Sequence, residues 1–180
     1  KGWTLIEELR ATLRQDVKHD GTPLFLFVNI IDAHQPYPAV PPWVGWLPWR
    51  SSLPFKHAID HGEGNGDWER FVNDEMGPEE RAAYIQHATD VYDYGVHHAD
   101  WAVGQVLEEL EAHGWLEGGY QLVLTSDHGE FLGEHGLYEH GVYLYEPLST
   151  VPFLTYDSAK PAPTLPTRMS ALEAHGLLLD

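Results

Sequence analysis

The sequence feature that most constrains the fold is a short apolar run that ends in adjacent acidic and imidazole side chains. Residues 122–125 are apolar, apart from the terminal threonine, and lead through Ser126 to Asp127 and His128. An apolar run of this length, bounded by turn residues, predicts a buried strand. Because ligands in open α/β sheets bind just beyond the carboxyl ends of strands, we expect Asp127 and His128 to present metal ligands at a sheet edge.

A second apolar run ends close to another histidine. Leu24–Ile31 is a nearly continuous apolar segment, which predicts a strand buried on both faces of a parallel sheet. His34 follows at its carboxyl end. Apolar residues at helical spacing predict a preceding amphipathic helix over Trp3–His19. Helix, turn and strand form half of a βαβ unit, so we expect the first strand to lie before residue 1 and the chain to be truncated at its N-terminus.

The remaining segments complete the prediction of a single, partial α/β domain over residues 1–180. Its expected fold is a mostly parallel sheet flanked by helices. Residues 39–77 are rich in Pro, Gly and Trp without a sustained period, which predicts a long irregular insertion. The other predicted elements are a long helix from Pro78 to His113, strands over Tyr120–Thr125 and Pro152–Tyr156, and a last helix over Met169–Leu179.

Charge and composition restrict the class of partner. The chain has 28 acidic and 10 basic residues, a formal net charge of −18, and therefore repels nucleic acid and anionic membranes. The longest apolar run is too short to span a membrane, and no signal peptide is visible. Abundant acids with few lysines fit either a salt-loving source organism or an ordinary acidic surface. With no cysteine and 12 histidines, metal chemistry would rest on His and carboxylate ligands.

Asp127 and His128 suit Ca²⁺, Mg²⁺, Mn²⁺ or Zn²⁺ by their donor types. Their spacing alone leaves a second interpretation open, in which the aspartate caps a turn and the histidine is incidental. Two further histidines, His97 and His98, fall on the predicted long helix. A packed or solvated role is the simpler interpretation for both.

Two ordered sets of motifs carry a resemblance to a known family. The chain is similar to the second half of the sulfatase family, within the alkaline-phosphatase superfamily, over roughly residues 22–156. The upstream segment looks like the family's strand that ends in His-x-Pro-Tyr. The matching stretches are Thr125–Glu130, Gly133–Leu137, His140–Gly141, Tyr145–Glu146 and Val151–Pro152, with Phe25–Asn29, Asp32, His34 and Pro36–Tyr37 upstream.

The resemblance implies roles for four residues in the hydrolysis of a sulfate monoester of a small molecule or glycan. Asp127 and His128 match the late pair of ligands to one divalent metal, with Ca²⁺ expected first. His34 matches the histidine that contacts the transferred group and can protonate the leaving oxygen. His140 falls where many sulfatases have a lysine that touches the sulfate. This departure leaves open whether the ester is a sulfate or a phosphate.

The resemblance also implies parts that lie outside this chain. The family uses an early Asp-Asp pair and a Cys/Ser-x-Pro-x-Arg nucleophile motif, whose Cys or Ser becomes formylglycine, and both belong upstream of His34. Ser52–Lys56 and Thr164–Arg168 imitate the nucleophile motif but lie downstream. We therefore expect half a metal site and no activity from this chain alone. The alternatives are a phosphodiesterase, phosphonate hydrolase or phosphoethanolamine transferase of the same superfamily, and a non-catalytic, metal-stabilised module.

Three more residues belong to the same loop as the predicted metal ligands. Glu130, Glu134 and His135 carry groups that could contact a substrate. Structural or supporting roles are the first interpretation for all three.

Overall fold

The computed structural model describes residues 2–15, 20–35, 37, 66–161 and 165–177. These residues form five α-helices, four short strands and one 3₁₀ turn. In chain order they are α1 (Gly2–Gln15), α2 (Gly66–Val72), α3 (Pro78–Ala112), β1 (Gln121–Thr125), β2 (Phe131–Leu132), the 3₁₀ turn (Glu134–Gly136), β3 (Tyr138–Glu139), α4 (Glu146–Ser149), β4 (Phe153–Asp157) and α5 (Ala171–Leu177).

Helix α3 is the longest described element, and α1 and β2 pack against it. It begins at Pro78, where the missing backbone N–H of proline costs no hydrogen bond. It ends before Gly114, which adopts a left-handed φ of 78° and donates its N–H to the Glu111 carbonyl oxygen. The predicted helix from Pro78 to His113 is confirmed to within one residue.

Helix α1 packs against the C-terminal half of α3. Ile6, Leu9 and Leu13 recur at helical spacing and are buried in one cluster with Val106 of α3. Arg10 Nε lies 2.6 Å from Glu109 Oε1 and adds an ion pair beside this cluster. The predicted N-terminal helix is confirmed as far as residue 15, and residues 16–19 lie outside the described part of the chain.

A second cluster forms at the N-terminal half of α3. Phe71 and Tyr84 stack with ring centroids 5.0 Å apart, and Met76 is buried beside them. Phe71 belongs to α2, within the stretch predicted as an irregular insertion. That stretch therefore contains at least one regular element, and its residues 39–65 lie outside the described part.

Both sheets formed by the described residues are two-stranded and antiparallel. β1 pairs with β4, with Leu122 opposite Tyr156 and Leu124 opposite Leu154. β2 pairs with β3 in a short hairpin. The strand predictions over 120–125 and 152–156 are confirmed to within a residue, but a parallel sheet is not confirmed. The predicted burial of the first of these strands is wrong for the described structure, since Val123 and Leu124 are 39% and 37% exposed. A run of apolar residues does not specify which elements lie beside it.

The prediction of a doubly buried strand over Leu24–Ile31 is wrong for the described structure. The segment forms no strand ladder with the other described residues, and Phe25 and Phe27 are 89% and 81% exposed. Val28, in contrast, packs against the cluster between α1 and α3. A strand is buried on both faces only where helices cover both, and the described helices cover one face of this segment.

The C-terminal part is as expected in outline. α5 lies within the predicted helix over residues 169–179, and residues 178–180 are outside the described part. Among the described residues, none of the helices combines the length and apolar character that a membrane span requires.

Candidate functional site

The four residues that the sequence predicts for the site lie close to one another. The ring centroids of His128 and His140 are 4.2 Å apart, those of His34 and His140 are 5.0 Å apart, and those of His34 and His128 are 6.4 Å apart. Asp127 Oδ1 lies 3.9 Å from His128 Nε2. His34 and the other three come from segments separated by more than 90 residues, so the fold brings them together.

The end of β1 delivers Asp127 and His128 through a tight polar turn. Ser126 Oγ donates to the His128 carbonyl oxygen at 2.7 Å, and the His128 N–H donates to Asp127 Oδ1 at 3.1 Å. The Asp127 side chain is 89% exposed. Adjacent residues in a strand point to opposite faces, and this turn after the strand end lets both side chains serve one site.

The close approach of the loop to α4 explains why the Asp-His pair is followed by a glycine, Gly129. Its N–H donates to the Leu148 carbonyl oxygen at 2.8 Å, which ties the loop to α4. A β-carbon at position 129 would lie only 2.0 Å from the carbonyl oxygen of Pro147. Two non-bonded atoms cannot come this close, so the backbone would have to shift. Only glycine permits this approach of the loop to α4.

Each of the three imidazoles is anchored through the same ring nitrogen. His34 Nδ1 lies 2.6 Å from the Gln35 carbonyl oxygen, and His128 Nδ1 lies 2.8 Å from the Gly129 carbonyl oxygen. His140 Nδ1 lies 3.0 Å from Glu130 Oε1. Because carbonyl and carboxylate oxygens only accept, Nδ1 carries the proton in each contact, and Nε2 is the nitrogen left to ligate or transfer a proton.

The Glu130–His140 ion pair is the strongest support for the geometry of His140. The Glu130 side chain is only 5% exposed, whereas that of His140 is 33% exposed. A buried carboxylate that accepts from Nδ1 orients the ring. The sequence predicts only a structural or supporting role for Glu130. Its pairing with His140 could not be predicted, because it forms only when the β2–β3 hairpin folds back.

Glu134 and His135 have structural roles in the same loop. Glu134 Oε2 accepts a hydrogen bond from the Leu132 N–H at 2.7 Å. His135 adopts a left-handed φ of 56°, and its ring stacks on Tyr145 with centroids 4.5 Å apart. These contacts agree with the structural roles that are the first interpretation from the sequence.

The pair Asp127 and His128 fits two positions in the coordination shell of a divalent ion. Asp127 Oδ1 and His128 Nε2 lie 3.9 Å apart, and the contact of His128 Nδ1 with a carbonyl oxygen leaves Nε2 as the nitrogen that could ligate. Among the described residues there is no cluster of three or more His, Asp or Glu side chains arranged to hold a metal. Asp127 and His128 are therefore two adjacent potential donors without a third beside them in the described part of the chain.

A buried contact holds the segment that carries His34 against α3. Asp32 is 1% exposed, and its Oδ1 lies 3.0 Å from His98 Nδ1. The two atoms are in contact, although the geometry of this contact is not that of a hydrogen bond. A β-carbon on Gly95 would lie 2.6 Å from the Asp32 carbonyl oxygen, which shows how closely α3 approaches this turn.

Two tyrosines close in sequence to His34 and His140 stay uncharged at neutral pH. Burial raises the pKa of the Tyr37 hydroxyl far above its usual value, and the negative charges of Glu130 and Glu139 raise it further. Burial is also the main reason why the pKa of Tyr138 is raised. Both hydroxyls stay protonated at neutral pH, so neither serves as a phenolate nucleophile.

A cavity elsewhere on α3 does not suit the predicted substrate. It is lined by Glu108, Glu111 and Glu117 together with Leu107, Leu116 and Tyr120. Three carboxylates repel an anionic ester, whereas the histidine cluster offers imidazole donors. The cluster is therefore the better candidate site.

The segments that imitate the nucleophile motif lie largely outside the described residues. Residues 52–56 lie outside the described part, and so does the start of the motif at 164–168. Arg168, which is described, forms an ion pair with Glu146 of α4.

Comparison with known proteins supports the family resemblance. A family model described as Sulfatase matches residues 4–175, nearly the whole chain. No curated protein and no solved structure matches the chain. The match implies an α/β fold of the alkaline-phosphatase type and a hydrolase at the level of the family. The chain belongs to the sulfatase family.

Proposed function

We propose that this protein is a sulfuric ester hydrolase that cleaves a sulfate monoester with the help of one divalent metal. The observation that carries the proposal is the convergence of His34, His128 and His140, each anchored through Nδ1, beside the Asp127 carboxylate. Family membership supports the hydrolase class. The substrate is a sulfate ester of a small molecule or glycan.

Asp127 and His128 are the proposed metal ligands of this chain. When bound, the metal polarises the oxygens of the transferred group and lowers the pKa of the attacking hydroxyl. Ca²⁺ is the first candidate from the family resemblance, and the nitrogen donor of His128 also suits Mn²⁺ or Zn²⁺. A formylglycine nucleophile contributed by residues upstream of His34 completes the proposal.

His34 is the proposed general acid, and His140 the proposed donor to the transferred group. The anchored Nδ1 of His34 directs proton transfer to Nε2, and the exposure of the residue allows it to be reprotonated from water. Glu130 accepts from Nδ1 and holds the His140 ring, and Nε2 can donate a hydrogen bond when it carries a proton as well. Such positioned donors stabilise the charge that develops on the sulfuryl oxygens.

The dependence on the leaving group tests the role of His34. In the complete gene product, His34→Ala should lower kcat roughly 100-fold or more for alkyl sulfates, whose leaving oxygen needs a proton. For nitrophenyl sulfate, whose leaving group is stable as an anion, the loss should be much smaller. Initial rates with a series of sulfates provide the measurement, with the exposed His97→Ala as control. Equal losses across the series would exclude general-acid duty for His34.

Phosphoryl transfer within the same superfamily is the second candidate. One feature favours it: His140 stands where many sulfatases have a lysine, so this position has an imidazole in place of a fixed ammonium. Rates for matched aryl esters decide between the two. A sulfatase turns over the sulfate fastest, whereas a higher kcat/KM for a phosphate diester or phosphonate would favour the second candidate. No turnover of any ester by a metal-loaded gene product would favour a non-catalytic module.

A further inference from the structure

The side chain of Gln35 connects the two segments that carry His34 and His140. Its Nε2 donates to Glu139 Oε1 at 3.0 Å, across 104 positions of sequence. The Tyr138 hydroxyl lies near the same nitrogen at 3.4 Å. Gln35 is only 8% exposed, so its amide is largely withdrawn from water and makes this contact inside the fold. A hydrogen bond to a charged group in such a setting is among the stronger ones in proteins.

The orientation of the amide follows from the chemistry of its partner. A carboxylate at neutral pH only accepts hydrogen bonds, so the amide nitrogen and not the oxygen must face Glu139. The Tyr138 hydroxyl can accept from the second N–H of the same group. Gln35 is therefore a donor to two adjacent residues of β3.

Both ends of this contact are next to a histidine of the site. The Gln35 carbonyl oxygen accepts from His34 Nδ1 at 2.6 Å, so one residue anchors that ring and also reaches across to β3. Glu139 directly precedes His140 and has a left-handed φ of 70°, which is uncommon for a residue with a β-carbon. Such a backbone conformation persists where neighbouring contacts hold it in place.

We infer that Gln35 is a positioning residue that fixes the separation of the His34 and His140 imidazoles through its hydrogen bond to Glu139. The inference rests on the proposed function, in which both imidazoles act on the same transferred group. Gln35 itself touches neither substrate nor reacting atoms. It sets the 5.0 Å distance between the two ring centroids, and small misplacements of this kind reduce catalysis strongly.

A reciprocal exchange of amide and carboxylate tests the inference. Gln35→Glu places two carboxylates face to face and should lower kcat roughly 10–100-fold with a smaller change in KM. Glu139→Gln keeps an acceptor for the Gln35 amide and should stay within about threefold of wild type, because the hydrogen bond survives. In the double variant Q35E/E139Q the donor and acceptor are exchanged, so kcat should recover to within roughly threefold of wild type.

A matched control is available on the sheet. Gln121 Nε2 donates to Asp157 Oδ2 at 3.0 Å, the same pair of groups at the same distance, but in an exposed position between β1 and β4. Gln121→Glu creates the same pair of carboxylates away from the histidines. It should leave kcat, KM and the histidine contacts unchanged.

Magnetisation transfer between the imidazole protons of His34 and His140 gives a readout that needs no substrate. The nuclear Overhauser effect between the rings should weaken in Q35E and return in Q35E/E139Q. That pattern would support the inference even if the complete gene product hydrolysed no ester, an outcome that would count against the proposed function alone. If Q35E matched Q121E in rate and ring contact, or if the exchange restored neither, Gln35 would not position the histidines.

Discussion

At the scale of single residues, the site depends on how each imidazole is held. A histidine can ligate a metal, donate or accept a proton, and its surroundings select among these roles. In this chain an oxygen acceptor fixes Nδ1 of His34, His128 and His140 in turn. Two of these acceptors are backbone carbonyls next in sequence, and the third is the buried carboxylate of Glu130. The Nε2 atoms of the three rings are therefore the ones left for metal ligation or proton transfer.

The glycine after the Asp-His pair gives a prediction at this scale. Gly129→Ala forces a β-carbon against the Pro147 carbonyl oxygen, and the required shift should destabilise the fold by about 1–3 kcal/mol. Gly104→Ala is the control, since a β-carbon there meets nothing within 4 Å in the middle of α3. It should stabilise the fold by roughly 0.5–1 kcal/mol. Urea unfolding of both variants gives the two free energies, and a tolerated G129A would mean that the loop does not approach α4 so closely.

At the scale of elements, the sequence predicts where helices and strands begin and end better than it predicts which elements pack against each other. The helical period, the N-terminal Pro78 and the C-terminal Gly114 define α3 almost to the residue, because these signals are local. The ends of β1 are predicted for the same reason. In contrast, the pairing of β1 with β4 and the exposed side of Phe25 depend on which other elements are adjacent, and no local pattern carries that information.

The site shows the same division between local and long-range information. Asp127 and His128 are recognisable because they follow an apolar run, and the motifs of the family identify His34 and His140. The partners of these residues are harder to predict. Glu130 is ten positions from His140 and reaches it only through a hairpin, and the contact of Asp32 with His98 requires α3 to pass beside the His34 turn.

The contact between α3 and the His34 turn gives a prediction at the scale of elements. His98→Ala removes the partly buried imidazole whose Nδ1 lies 3.0 Å from the Asp32 carboxylate and should destabilise the fold by about 1–2 kcal/mol. His97→Ala, at the exposed neighbouring position, should change stability by less than about 0.5 kcal/mol. Thermal unfolding compares the two, and equal shifts would mean that His98 does not hold the turn.

At the scale of the whole molecule, the sulfatase family membership combines with a strongly acidic surface. The net charge of −18 opposes compaction through self-repulsion. For the proposed sulfate ester the same charge would oppose the approach of the substrate, and the proposed function assigns the local attraction to a cation and the imidazoles. The carboxylate of Asp127, 89% exposed at the edge of the cluster, is the group to which the proposal assigns cation binding.

The acidic surface makes stability depend on salt. Raising NaCl from about 0.1 M to about 1 M shortens the screening length from about 10 Å to about 3 Å. The repulsion among the acidic side chains should weaken, and Tm should rise with NaCl. Scans in KCl serve as a control for the identity of the cation. A Tm that stayed flat or fell over this range would show that self-repulsion does not limit the stability of this chain.

The most direct test concerns the proposed metal ligands. Metal content and sulfate ester turnover are measured together in the complete gene product, for wild type, Asp127→Ala, His128→Ala and the exposed control Asp100→Ala. We predict that both ligand variants lose metal affinity by at least roughly 10–100-fold and lose turnover with it, whereas D100A keeps both. Wild-type metal content and wild-type turnover in D127A or H128A would contradict the assignment of this site.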